Sequence, residues 1–105
     1  MNKQFTFPNK SDPWTMYIIT GCSFCGKALD FFKLRGTELC FEKSEPKTKN
    51  YVRVFVILND KKEKNDFYNA FKDLLKDHKT FPVIFESDHL FGGFDTLIET
   101  FGNPS

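Results

Sequence analysis

Cys22 and Cys25 are the residues of this chain whose type and spacing could most directly do chemistry. A Cys-x-x-Cys pair brings two sulfurs close enough to close a disulfide when both sit in the first turn of a helix. The surrounding sequence supplies that setting. Residues 14–20, WTMYIIT, are a β-branched and aromatic run that stops at Gly21, as a buried strand does. Beyond it Cys25, Ala28, Leu29 and Phe32 recur at i, i+3, i+4 and i+7, lining one face of a helix that Gly36 can end. The spacing predicts a helix opening at or just after Cys22, straight out of a strand.

Such a setting treats the two sulfurs unequally. Cys22 lies near the unsatisfied N–H groups and the positive end of the helix dipole, which favour a thiolate, and Lys27 adds positive charge if its side chain folds back. Cys25 falls on the apolar face, where desolvation favours the thiol. Thiol–disulfide exchange uses that asymmetry, with Cys22 as nucleophile and Cys25 as resolving thiol. A zinc half-site is the first rival, but Cys40, His78 and His89 show no ligand spacing, so no metal is expected. Two core cysteines without a role are the plainer rival, and the position between strand and helix argues against it. Cys40 reads as a half-buried bystander, and His78 and His89 as surface or turn residues.

The elements that must position the pair fit one domain. A chain of 105 residues, 40% hydrophobic and 28% charged, can hold a core without disulfides or a structural metal. Fifteen Lys and Arg oppose fourteen Asp and Glu, leaving no strong field for nucleic acid or anionic lipid. No apolar stretch approaches the roughly 18 residues of a membrane span, and the first residues lack a signal-peptide apolar region. A soluble, cytoplasmic protein is expected, with neither nucleic acid nor membrane as partner. Three cysteines, an odd number, fit poorly with a secreted disulfide framework. Fourteen Phe read as core packing.

Residues 1–13, broken by Pro8 and Pro13, form an N-terminal arm, and residues 14–105 the folded domain. Residues 37–50 are charged and interrupted by Pro46, and suit either a short strand with a loop or an extension of the first helix. Residues 51–58, YVRVFVIL, read as a central strand. Asp60 and Glu63 resemble a capping box opening a helix whose face carries Phe67, Ala70, Phe71, Leu74 and Leu75. Residues 81–85 and 89–91 suit a hairpin, after which Asp95 caps a last helix that carries Leu97, Ile98 and Phe101 and closes at Gly102.

Three motifs now stand in order: the Cys22/Cys25 pair after the first strand, Thr80-Phe81-Pro82 before a later strand, and Gly92-Gly93-Phe94-Asp95 before the last helix. Over about residues 14–102 the chain resembles the glutaredoxins of the thioredoxin-like superfamily. The resemblance implies an α/β, thioredoxin-like fold with a four-stranded mixed sheet flanked by three helices, and a cis peptide bond before Pro82. It implies a monomeric, glutathione-dependent oxidoreductase that reduces protein disulfides and glutathione mixed disulfides, with glutathione as co-substrate. Cys22 matches the nucleophile that becomes glutathionylated. Phe81 matches the residue whose backbone pairs with the glutathione cysteine, while Gly93, Phe94 and Asp95 match the segment receiving the γ-glutamyl end. Lys79, just before Thr80, stands where a base can pair with the glycine carboxylate. Two departures accompany these matches. Ile19 occupies a position where the family usually has Lys, and Ser23 replaces the Pro of the commonest motif. Some members without that Pro hold an iron–sulfur cluster between two protomers, so a cluster-binding module is an alternative. A thioredoxin-like reductase served by a flavoprotein is another, although Gly21 stands where Trp is usual there.

Overall fold

Five strands and four helices make up the chain in a computed structural model that describes residues 4–102. They are β1 (Trp14–Ile19), α1 (Ser23–Leu34), β2 (Glu38–Phe41), β3 (Tyr51–Ile57), α2 (Lys61–Ala70), α3 (Lys72–Leu75), β4 (Val83–Glu86), β5 (His89–Gly92) and α4 (Phe94–Phe101). Residues 1–3 of the expected arm and residues 103–105 lie outside the described part. The strands form one mixed sheet in the order β2-β3-β1-β4-β5. β2, β3 and β1 run parallel, while β4 and β5 run antiparallel to their neighbours. β1 lies at the centre with Thr15, Met16, Tyr17 and Ile18 all buried, which is why its sequence is apolar or aromatic at every position but Thr15, with no alternation. Among the described residues no helix is long and apolar enough to cross a membrane.

The sheet has five strands where the resemblance implied four, and there are four helices in place of three. The extra strand comes from residues 37–50, which form a strand and a loop and do not extend α1. Leu39 and Cys40 pair with Val52 and Arg53, so β2 gives its backbone groups partners along the β3 edge. The loop back to β3 is held by side chains. The Glu38 carboxylate accepts the N–H groups of Lys47 and Thr48 at 2.9 Å, and Arg53 Nη1 donates to the carbonyls of Glu42 and Ser44 at 2.7 and 2.9 Å. The extra helix arises because the periodic segment expected as one helix divides at Phe71, a fully buried ring with φ −102° and ψ 8°.

Asp60 caps α2 by accepting the Glu63 N–H at 2.8 Å. The reciprocal half of the box is replaced, since the Glu63 carboxylate accepts the N–H of Leu58 at 2.6 Å. The core is largely aromatic. Tyr17 stacks on Phe55 at 5.4 Å and meets Phe67, Phe71 and Phe85, while Phe5 from the arm sits edge-on to Phe67 at 5.6 Å. The Tyr17 hydroxyl donates to Thr6 O at 2.6 Å. Asp12, buried at the end of the arm, accepts from Tyr51 Oη at 2.6 Å and Arg53 Nε at 3.2 Å. The arm thus closes one side of the core and is joined to β3 by a buried carboxylate.

Candidate active site

The chain leaves β1 through Gly21, whose φ of +73° lies in the left-handed region that glycine adopts without a Cβ penalty. That turn delivers Cys22 to the N-cap of α1, with extended backbone (φ −103°, ψ 112°) and its sulfur accepting the Cys25 N–H at 3.2 Å. A cysteine here takes the place that Ser or Asp usually fills, satisfying one of the donors a helix leaves bare at its start. The two cysteines approach within 2.7 Å and both thiols are free. Cys22 is half-buried, whereas Cys25 is only 2% exposed among the apolar residues of α1. Cys22 Sγ also lies 3.7 Å from Phe81 O, its thiol facing the carbonyl as donor.

Phe81 and Pro82, joined by a cis peptide bond, form part of one wall of a groove of about 390 Å³. Thr80 lies on the same wall, residues 93–96 form the other, and Phe24 and His78 complete the lining. Thr80, Phe81, Pro82, Gly93, Phe94 and Asp95 are therefore brought together beside Cys22. Lys79 is not part of the lining; it is exposed, and its carbonyl accepts the Tyr68 hydroxyl at 2.7 Å. Asp95 is not the cap of α4. Gly93 is the N-cap and Asp95 the second helical residue, while Thr96 Oγ1 accepts the Gly93 N–H at 3.4 Å. Lys27 places its ammonium 5.2 Å from the centre of the Phe24 ring, a ring half exposed at the groove.

His78 closes the turn after α3, in keeping with a surface or turn residue, but its ring does more than face solvent. It is half-buried and lines the groove, with Nε2 3.3 Å from Pro82 O. The signal that could have found it was its place four residues before Pro82, on the approach to the motif. His89, by contrast, is exposed beside Asp88 at 3.3 Å. Cys40 is fully buried, not half-buried, and donates to Ser44 O at 2.8 Å with Arg53 Nη1 at 3.6 Å, which gives it a place in the loop anchor. Among the described residues no three His, Cys, Asp or Glu side chains gather as a metal site. No protein-family model matches the chain, and no curated protein matches it closely enough to count as a relative.

Burial pushes the Cys25 thiol up to about 12; the hydrogen bond to Cys22 adds to the rise, the Ile19 backbone opposes it, and the charge of the Cys22 sulfur adds the least. Burial, and then Asp12, also push the Tyr17 phenol well above its ordinary range. Both groups keep protons in the native state that an unfolded chain would release. The Cys25 contribution is intact below about pH 8.5 and is lost as pH climbs toward 12, whereas that of Tyr17 is intact below about pH 10 and is lost only as pH rises further. Urea unfolding at stepped pH is expected to show stability falling by about 1.4 kcal/mol per unit above pH 9 from Cys25, and about twice as steeply above pH 10 as Tyr17 joins. A Cys25→Ala variant should lack the first step. Stability that stays level to pH 10.5 would contradict these burials.

Proposed function

We propose that the chain is a glutathione-dependent thiol–disulfide oxidoreductase of glutaredoxin type, on a thioredoxin-like fold, which reduces protein disulfides and glutathione mixed disulfides. The observation that carries this reading is the Cys22 sulfur at the mouth of α1, next to a groove walled by the Phe81–Pro82 segment and the start of α4. That sulfur accepts the Cys25 N–H at the start of the helix, and the neighbouring, buried Cys25 waits as a thiol.

Cys22 thiolate attacks one sulfur of a disulfide, and the other sulfur leaves as a thiolate that takes up a proton. The mixed disulfide is resolved when Cys25 gives up its proton and attacks Cys22, closing the intramolecular disulfide and releasing the second thiol. Two of the causes holding the Cys25 proton, the hydrogen bond to Cys22 and the charge on that sulfur, weaken once Cys22 is in a disulfide, so Cys25 ionises more readily at the step that needs it. Two glutathione molecules then reduce the Cys22/Cys25 disulfide and leave as glutathione disulfide. The bound tripeptide pairs its cysteine backbone with Phe81, as an added strand does, and sets its γ-glutamyl carboxylate at the N-terminus of α4 near Gly93, Phe94 and Asp95. One copy of the chain holds all these groups, and a cytoplasmic glutathione pool would supply the reductant.

Exposure of a Cys25→Ser variant to oxidised glutathione, followed by mass measurement and peptide mapping, tests this directly. One glutathionyl group on Cys22 is expected. Addition at Cys40, or no addition while the fold is intact, would defeat the assignment.

A further inference from the structure

His78 occupies the groove without belonging to any motif, and its setting gives it two separable roles. Its backbone N–H donates to Leu75 O at 2.9 Å, closing the turn after α3. Its ring lies between the two walls: Nε2 is 3.3 Å from Pro82 O, and a Cβ on Gly93 would stand 3.1 Å from Cε1. Gly93 therefore leaves the space that the imidazole uses. A carbonyl oxygen only accepts, so Nε2 carries the proton in that hydrogen bond and Nδ1 is the nitrogen that gains or loses one. Protonation adds a charge to the groove without breaking the link to Pro82.

That charge has little competition. The one other ionisable side chain in the lining is Asp95. Lys27 stands over the Phe24 ring of the lining, Asp77 and Lys79 flank His78 in sequence, and the Cys22 sulfur, an anion when it is a thiolate, lies 3.7 Å from Phe81 O. The imidazole thus supplies the one positive charge that the lining itself can carry. We propose that His78 is the specificity-determining residue of this groove, its imidazolium selecting disulfides that bear free carboxylates over neutral ones, a role that holds if Cys22 is the exchange nucleophile proposed above. The same ring bridging both walls keeps the site in shape at every pH.

The test compares kcat/KM for a peptide–glutathione mixed disulfide and for the same disulfide with its glutathione carboxylates esterified, at pH 6 and pH 8, using the full chain. The ratio of the two removes the ionisation of Cys22, which both substrates share. The unaltered protein is expected to favour the free acid by about fivefold at pH 6 and by less at pH 8, since only the protonated ring carries the charge. His78→Gln keeps an N–H for Pro82 O and should bring the ratio near one at both pH values. His78→Lys should hold the preference at pH 8, which a purely structural role for the ring would not produce. A His78→Gln protein with the original ratio and trend, or a His78→Lys protein that loses the preference at pH 8, overturns the proposal. Equal rates for both disulfides in the unaltered protein overturn the role of His78 alone, whereas exchange with neither overturns the function as well.

Discussion

Replacing Cys22 with Ser is expected to abolish turnover of glutathione mixed disulfides, a loss of about a thousandfold or more, because a hydroxyl is almost entirely protonated and a poor nucleophile where a thiolate is needed. The substitution leaves the helix cap in place, since a serine oxygen accepts the Cys25 N–H at least as well as sulfur does. Loss of activity would therefore report on chemistry, with the fold unchanged by thermal unfolding. Cys25→Ser separates the two sulfurs further. It should retain deglutathionylation, where a second glutathione resolves the mixed disulfide, and lose dithiol reduction of protein disulfides. Running both variants with glutathione and its reductase, then with a thioredoxin reductase, distinguishes the glutaredoxin reading from the flavoprotein-served one. Full activity in Cys22→Ser, or equal losses on both substrates in Cys25→Ser, would remove the division of labour proposed for this pair.

What could be read from the sequence follows from how local each determinant is. The strand ending at Gly21, the helix opening at Cys22 and the apolar face through Phe32 are set by residues within one or two turns, and they appear where the pattern puts them. Asp60 as a cap is equally local. β2 is not: ELCF is four residues in a charged stretch, and it becomes a strand because β3 offers an open edge while Glu38 and Arg53 fold the following loop back. The break at Phe71 is hidden for the opposite reason, since Phe67, Ala70, Phe71, Leu74 and Leu75 keep helical spacing across it. At α4 the best local capping residue, Asp95, gives way to Gly93, a position that must also make room for the His78 ring. His78 itself sits in a segment, Asp77 to Lys79, that reads as a solvated turn until the chain brings Pro82 and Gly93 against it.

The same reasoning locates the largest structural effect at Phe67, which joins the core to the Phe81–Pro82 loop of the candidate site. Its ring is fully buried, stacked on Phe71 at 4.3 Å, and in contact with Phe5 of the arm, Tyr17 of β1 and Phe81 beside Pro82. Phe67→Ala removes a buried aromatic whose neighbours come from four separate segments, so they cannot all collapse into the void. A cost of about 3–5 kcal/mol is expected. Against a total stability of about 5–15 kcal/mol this should lower the melting temperature by roughly 12 °C or more. Phe67→Leu keeps most of the volume and should cost less than half as much. The remaining folded Phe67→Ala protein should also exchange disulfides more slowly, because Phe81, whose carbonyl lies 3.7 Å from the Cys22 sulfur, loses the ring packed against it. A Phe67→Ala protein that melts within about 4 °C of the parent, a shift worth only about 1 kcal/mol, would mean that the arm, β1 and the proline loop are held by other contacts.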